Sequence, residues 1–328
     1  MSRAGALLLA ALSPDRAPAS TIARICRSGD SVWEELKSLA IEQQVLPALY
    51  FGLARIEGVP PEVLQRLSGA YVANVRRNER MRAVAVELAA ICRDRGISAM
   101  ALKGLALIET GVYRDAGVRA LADVDILVPS ASFADLYREL RSADWKQLDD
   151  GVPESHYLRH THQAPPLVHA ATGHLVEIHR EPWPRQLSLR DGSAGIWKRS
   201  TALAAPPGLR APSPADLVVQ AAIHTLLHST ARFMGLVDIA TILRIARPEP
   251  AQIAQAAEES GARRQVAAMI HLALRTCGPR SNADELANAI AFGAGRAMTR
   301  TGIASRLLRN RPHWIEAAPF PSLHPDPA

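Results

Sequence analysis

Residues 119–130 read RALADVDILVPS and place two aspartates, Asp123 and Asp125, at the start of a run of β-forming residues. Side chains two residues apart on a strand point to the same face, so we expect both carboxylates to face the same way. Two adjacent carboxylates repel each other unless a cation lies between them. Because Mg²⁺ prefers carboxylate oxygens and phosphates, the pattern predicts a metal–nucleotide site at a strand edge. The alternative is a solvated turn with two surface aspartates.

A third carboxylate follows in the segment HLVEIHRE, residues 174–181. The alternation predicts a strand on which Glu177 and His179 share one face with Leu175, and Val176 and Ile178 lie on the other. If this strand adjoins the first, Glu177 completes a two-metal site with the aspartates. The alternative is a surface glutamate on an edge strand.

Lys103 and Gly104 lie where the apolar run ISAMALKG ends and a helix is predicted to begin. Glycine permits close approach of a phosphate to the backbone, and the start of a helix favours an anion. Lys103 would add a positive charge, although an ordinary strand-to-helix turn explains the same residues. Lysine is rare in this chain, which has 38 basic residues. Only four are lysines: Lys37, Lys103, Lys146 and Lys198.

The pattern of predicted elements divides the chain into four parts and indicates an α+β fold, with a small mixed sheet flanked by helical regions. Helical spacing dominates residues 1–95. Residues 96–205 alternate strands and helices, with a hairpin predicted around Thr172–Gly173. Helices return over residues 206–310, opening at Ser213–Pro214, and residues 311–328 form a Pro-rich tail.

Composition limits the partners and the compartment. The formal net charge of +6 tolerates an anionic ligand, but aromatic residues make up only 5% of the chain, so nucleic acid is not the expected partner. The three cysteines are far apart and fit a reducing cytoplasm. We expect no membrane partner, because no apolar run is long enough to span a bilayer. The N-terminal residues weakly resemble a signal peptide, but we interpret them as a first helix ending near Ser13.

Histidines are concentrated between His156 and His179, which hold six of the 11 in the chain. A zinc site at His156, His160 and His162 lacks the spacing of a closed structural site, so we favour a polar loop over the acceptor pocket. His224 and His228 share a helix face. We expect them to pack against the core, with Asp238 as a candidate hydrogen-bond partner.

Taken together, these residues resemble the uncharacterised nucleotidyltransferase family, within the DNA polymerase beta-type nucleotidyltransferase superfamily. The resemblance rests on Lys103-Gly104, Tyr113, the R-x-x-x-D-h-D motif from Arg119 to Asp125, and the segment containing Glu177. It extends over about residues 30–245, including His224, His228 and Asp238. Most of the superfamily has Gly-Ser in the first turn, whereas this chain has Lys-Gly-Leu and 19 positions from Gly104 to Asp123. We therefore expect Lys103 and Arg119 to take over part of the serine's role in holding phosphates.

The resemblance implies a nucleotidyltransferase core over residues 96–205 and an enzyme that moves a nucleoside monophosphate from an NTP, with ATP the expected donor. Two Mg²⁺ ions, with Mn²⁺ as a substitute, would be held by Asp123, Asp125 and Glu177, while Lys103, Gly104 and Arg119 bind the nucleotide. A hydroxyl on a small molecule or peptide natural product is the expected acceptor. Two alternatives are a toxin-type enzyme acting on protein or tRNA, and a non-catalytic binding protein that retains the fold.

Overall fold

The computed structural model describes most of the chain. The described residues are 3–12, 30–142, 145–148, 151–184, 189–227, 233–278, 286–287 and 289–290. His228, Cys26 and the Pro-rich tail therefore lie outside them. None of the helices that the structure describes is long and apolar enough to cross a membrane.

Helices dominate the described residues that precede the sheet, as predicted. They are α1 (Arg3–Leu12), α2 (Asp30–Glu42), α3 (Leu46–Leu53) and α4 (Pro61–Asp94). The apolar faces of the first three pack together through buried residues such as Leu7, Leu36 and Leu49. The long α4 crosses from this helical cluster to the sheet, where Leu88 and Cys92 are fully buried. It ends before Gly96, which has a positive φ of 66° and so takes a conformation that glycine adopts without a steric penalty.

A seven-stranded mixed sheet follows and confirms the α+β prediction. Its strands are β1 (Ala99–Ala101), β2 (Asp123–Leu127), β3 (Trp145–Gln147), β4 (Leu167–His169), β5 (Leu175–His179), β6 (Thr201–Ala202) and β7 (Leu209–Ala211), in the order β3-β4-β5-β2-β1-β7-β6. Strand β2 pairs parallel with β5 and antiparallel with β1. The predicted hairpin around Thr172–Gly173 is confirmed, because β4 and β5 pair antiparallel on either side of it.

Short helices join the strands, and longer ones complete the C-terminal part. They are α5 (Lys103–Glu109), α6 (Ser130–Ser142), α7 (Glu154–His160), α8 (Ser193–Arg199), α9 (Pro214–Leu227), α10 (Phe233–Ile245), α11 (Pro250–Glu259) and α12 (Arg263–Cys277). Helix α9 packs against α10, α11 and α12, and also contacts α5. The C-terminal helices are thereby brought against the turn that follows β1.

Four elements differ from the sequence-based expectation. Strands β3, β6 and β7 have only two or three residues each, and the sequence pattern does not indicate them. Strand β7 pairs with β1 and lies beyond residue 205, where the sequence pattern indicates the start of the helical region. Residues 154–160 form helix α7 rather than a loop. The four-part division of the chain stays a prediction.

Candidate active site

Two carboxylates meet at the centre of the sheet because β2 and β5 run parallel in a fixed register. Asp125 lies directly opposite Glu177, and Asp123 lies opposite Leu175. Since side chains alternate along a strand, Asp123, Asp125 and Glu177 project from the same face of the sheet. The side chain of Asp125 is 2% exposed and that of Glu177 is 14% exposed. Buried carboxylates need compensating positive charge.

Lys103 supplies that charge. Its Nζ atom lies 2.6 Å from Asp125 Oδ1 and 3.4 Å from Glu177 Oε2. The lysine is the first residue of α5 and has a positive φ of 48°, which is unusual for a residue other than glycine. Its backbone N–H donates to Gln220 Oε1 of α9 at 2.9 Å. The C-terminal helices thus help to fix the position from which the Lys103 side chain reaches the carboxylates.

His179 joins Asp125, Glu177 and Lys103 in one cluster of charged side chains. Its Nε2 atom lies 2.8 Å from Asp125 Oδ1 and 3.6 Å from Glu177 Oε2, and the side chain is fully buried. Burial opposes the imidazolium, but hydrogen bonds to the two carboxylates outweigh burial and raise the pKa of His179. Its Nδ1 atom is buried and has no hydrogen-bond partner among the described residues.

The two aspartates have opposite protonation tendencies. Burial raises the pKa of Asp125, but Lys103 and His179 outweigh burial, so its pKa is well below the ordinary value. The charge on Asp125, together with burial, raises the pKa of Asp123 to about 7. Near neutral pH, Asp125 is therefore ionised, whereas Asp123 is partly protonated until further positive charge arrives.

His162 closes one side of the cluster. Its ring centroid lies 5.4 Å from that of His179. Burial and the positive charges of His179 and Lys103 lower the pKa of His162 to about 3, so its imidazole is neutral at physiological pH. His156 and His160 lie on α7 with ring centroids 5.3 Å apart. Neither belongs to a group of three potential metal ligands in the described part of the chain.

The long helix α4 fixes the loop that leads into β2. Asn78 Nδ2 donates to the carbonyl oxygens of Ala116 and Arg119 at 2.6 and 2.7 Å, and its Oδ1 accepts from the Leu121 N–H at 3.2 Å. One turn earlier, Asn74 Nδ2 donates to the carbonyl oxygen of Gly117 at 2.8 Å. Both asparagines are buried, where unpaired polar groups are costly. The loop therefore has one preferred path to Asp123.

Arg119, an expected phosphate ligand, is held by a C-terminal helix. Its Nε atom lies 3.0 Å from Asp238 Oδ1 on α10, and Nη1 donates to the carbonyl oxygen of Ala120. Tyr113 Oη donates to the same Asp238 oxygen at 2.7 Å. Burial raises the pKa of Asp238, even though Arg119 and Tyr113 favour its ionised form. Asp238, which the sequence suggested as a histidine partner, therefore links α10 to the loop before β2.

Gly104 is closely packed against the side chain of Leu121. A Cβ atom at this position would lie 2.6 Å from Leu121 Cδ2 and 3.5 Å from Arg119 Cζ. Because Leu121 is buried, it would have to shift to make room. A packing constraint thus explains the glycine, and its phosphate-binding role stays a prediction.

This acidic cluster fits a divalent cation. The group of three ligands contains His179, whereas the sequence predicts Asp123 beside Asp125 and Glu177. Asp125, Glu177 and His179 each offer a ligand atom, and these atoms lie within 4.8 Å of one another in the described part of the chain. Carboxylate oxygens suit Mg²⁺ or Mn²⁺, and imidazole suits softer metals. Sequence reasoning did not select His179 as a site residue, although the alternation over 174–181 places it on the face of Glu177.

The sheet and its acidic cluster have the donor types of a metal-dependent transferase site. A family profile described as uncharacterised nucleotidyltransferase matches residues 29–278, and the chain belongs to this family. No curated protein and no solved structure matches the chain significantly.

Proposed function

We propose that this protein is a Mg²⁺-dependent nucleotidyltransferase that moves a nucleoside monophosphate from an NTP to a hydroxyl or similar group of a small molecule or peptide. The observation that carries the proposal is the register of Asp125 against Glu177 on parallel strands. The ammonium group of Lys103 lies between their oxygens. Membership of the nucleotidyltransferase family supports the reaction type. ATP is the NTP we expect.

In this reaction the acceptor oxygen forms a bond to the α-phosphorus as the bond from that phosphorus to the bridging oxygen breaks, and pyrophosphate leaves. Asp123, Asp125 and Glu177 would hold the two metal ions, with His179 hydrogen-bonded beside them. When bound, Mg²⁺ neutralises the phosphate oxygens and lowers the pKa of the acceptor.

The protein's own residues perform the remaining tasks. Burial favours the protonated form of Glu177, but hydrogen bonding to His179 and the charge of Lys103 outweigh burial and lower its pKa. This carboxylate is therefore ionised and able to accept a hydrogen bond from the acceptor hydroxyl. The proton of that hydroxyl passes to Glu177 or to solvent. Lys103, which contacts Asp125, would contact the triphosphate bound beside the carboxylates, and the ion pair of Arg119 with Asp238 holds the loop before β2.

Label transfer tests the proposal. The protein is incubated with each α-³²P-labelled NTP and Mg²⁺, together with pools of small hydroxylated molecules and peptides, total tRNA, or purified proteins. We expect label on a small molecule or peptide, and loss of at least 99% of transfer in Asp123→Asn and Asp125→Asn variants that retain their circular dichroism spectrum. Label on tRNA or protein would favour the toxin-type function instead. Full transfer in either variant would rule out the site.

A further inference from the structure

We propose that Lys103 is the resident counter-ion of the acidic cluster and moves to the triphosphate when metal binds, so that metal and NTP bind cooperatively. This inference rests on the proposed function and adds an order of events to it. Lys103 would keep metal affinity low without nucleotide and contribute to nucleotide affinity once metal is bound.

The first argument is that the lysine covers the atoms that a metal would use. Lys103 Nζ contacts Asp125 Oδ1 and Glu177 Oε2. Within the described residues, these two side chains and His179 are the group that could hold a metal ion. A divalent cation bound to the same oxygens would repel an ammonium group in van der Waals contact with it. Metal binding therefore requires the lysine to move.

The second argument is that only the side chain is free to move. The backbone N–H of Lys103 is bonded to Gln220 Oε1, and the N–H of the preceding Leu102 donates to the carbonyl oxygen of Asp125 at 3.0 Å. The base of the side chain is thus fixed beside β2. A lysine in the left-handed region is strained, and such a conformation is retained where the surrounding structure requires it.

The third argument concerns the destination of the ammonium group. The Lys103 side chain is 18% exposed and that of Glu177 is 14% exposed, whereas Asp125 is almost completely buried. Lys103 and Glu177 are therefore the parts of this cluster that solvent reaches, and a triphosphate would approach the lysine from there. Phosphate oxygens would replace the carboxylates as its partners, while the metal replaces the lysine at the carboxylates.

The thermodynamic consequence is a reciprocal coupling. If NTP relieves the competition between Lys103 and metal, NTP must tighten metal binding, and metal must tighten NTP binding by the same factor. Removing the lysine charge would strengthen metal binding in the absence of NTP and weaken NTP binding. These opposite signs distinguish competition from general damage to the site, which would weaken both.

Mn²⁺ binding followed by electron paramagnetic resonance tests this inference without any turnover. The variants are Lys103→Met, Lys103→Arg and the control Lys146→Met, which changes an exposed lysine on β3. Each is titrated with Mn²⁺ with and without α,β-methylene-ATP. We expect Lys103→Met to bind Mn²⁺ at least tenfold more tightly than wild type without nucleotide, and to lose most of the nucleotide-induced increase. Lys103→Arg and Lys146→Met should keep weak Mn²⁺ binding.

Equal or weaker Mn²⁺ binding by Lys103→Met would overturn the inference. If that variant fails to fold, Lys103→Gln provides the same test with a polar side chain. Tight Mn²⁺ binding by Lys103→Met, lost again in Lys103→Met/Asp125→Asn, would place the ion at this cluster. If wild type binds no NTP but Lys103→Met still binds Mn²⁺ tightly, the nucleotidyltransferase proposal fails, whereas competition between Lys103 and metal stands.

Discussion

At the scale of single residues, the charges of neighbouring side chains set the protonation states within the partly buried site. Asp125 is ionised because Lys103 and His179 both contact it, and Asp123 is harder to ionise because Asp125 already bears a charge. His162 is neutral because it is buried and because the positive charges of His179 and Lys103 lie near it. Asp123 responds to a neighbour on its own strand, whereas Asp125 and His162 respond to residues that are distant in sequence.

His162 should make the protein less stable in acid. Its pKa is lowered to about 3 in the folded state, compared with about 6.5 in the unfolded state. The unfolded state therefore gains a proton first as the pH falls, so stability present above pH 6.5 is lost progressively towards pH 3. At pH 5 the loss is on the order of 1–2 kcal/mol. Urea denaturation of wild type and His162→Gln should show a smaller loss between pH 7.5 and 5 in the variant. Identical pH dependence would contradict the assignment.

Asp238 should be essential for stability because it is the counter-charge of Arg119. Asp238→Asn leaves the largely buried guanidinium group of Arg119 without its carboxylate partner. We therefore expect the free energy of unfolding to fall by about 3–5 kcal/mol. Asp135→Asn provides the control, since that aspartate forms an exposed ion pair with Arg138 and its loss should cost less than about 1 kcal/mol. Urea denaturation of both variants measures the difference. Equal effects would show that the buried ion pair does not stabilise the fold.

At the scale of elements, helix α4 and the loop before β2 act as one unit. Asn78 makes three hydrogen bonds to that loop, and an added Cβ at Gly117 would lie 2.5 Å from Val75 Cγ2 on the same helix. The loop path is therefore determined by a helix that ends before the sheet begins. This arrangement connects the N-terminal helical region to the position of Asp123.

Asn78→Ala should lower stability and weaken metal-dependent nucleotide binding together. It leaves the carbonyl oxygens of Ala116 and Arg119 without their side-chain donor, which costs roughly 2–4 kcal/mol. Thermal unfolding with and without Mg²⁺-nucleotide measures both effects. Gln65→Ala, on the first turns of α4 and in an exposed position, is the control. A destabilised variant with unchanged nucleotide affinity would mean that the loop does not position the site.

The carboxylates of the site were predictable from sequence, but most of their partners were not. Strand alternation, a local rule that needs no knowledge of the fold, places Asp123 and Asp125 on one face. Glu177 joins them only through the parallel pairing of β5 with β2. Gln220 and Asp238 reach the site across 117 and 119 positions of sequence. No local pattern specifies such contacts, since they depend on how α9 and α10 pack against α5. The ion pair of Lys103 with Asp125 was missed for the same reason.

At the scale of the whole molecule, the helical regions complete the site. Helix α4 orders the loop before β2, α9 contributes Gln220, and α10 contributes Asp238. Strand β7 pairs with β1 in parallel although it follows residue 205. The α+β class and the flanking helices were predictable from the change in periodicity along the chain. The contacts by which α4, α9 and α10 support the site depend on tertiary packing and were not predictable from the sequence pattern.

A fragment of the predicted core, residues 96–205, should therefore not fold alone. It lacks β7, α4 and α9, so β1 would have a free edge and the apolar faces of the sheet would be exposed. A fragment spanning the family match, residues 29–278, retains all of these elements and should unfold cooperatively. Circular dichroism and urea denaturation of the two fragments provide the test. Cooperative unfolding of the 96–205 fragment would show that the core is an independent domain.

Equilibrium binding of a non-hydrolysable nucleotide tests the central claim most directly. The α,β-methylene analogue of each NTP is titrated by calorimetry into wild type and Asp125→Asn, with and without Mg²⁺. We predict Mg²⁺-dependent binding of at least one analogue to wild type, weakened at least tenfold, or about 1.4 kcal/mol, in the variant. Binding that is independent of Mg²⁺ and unchanged in Asp125→Asn would contradict the assignment of a nucleotidyl-transfer site to these carboxylates.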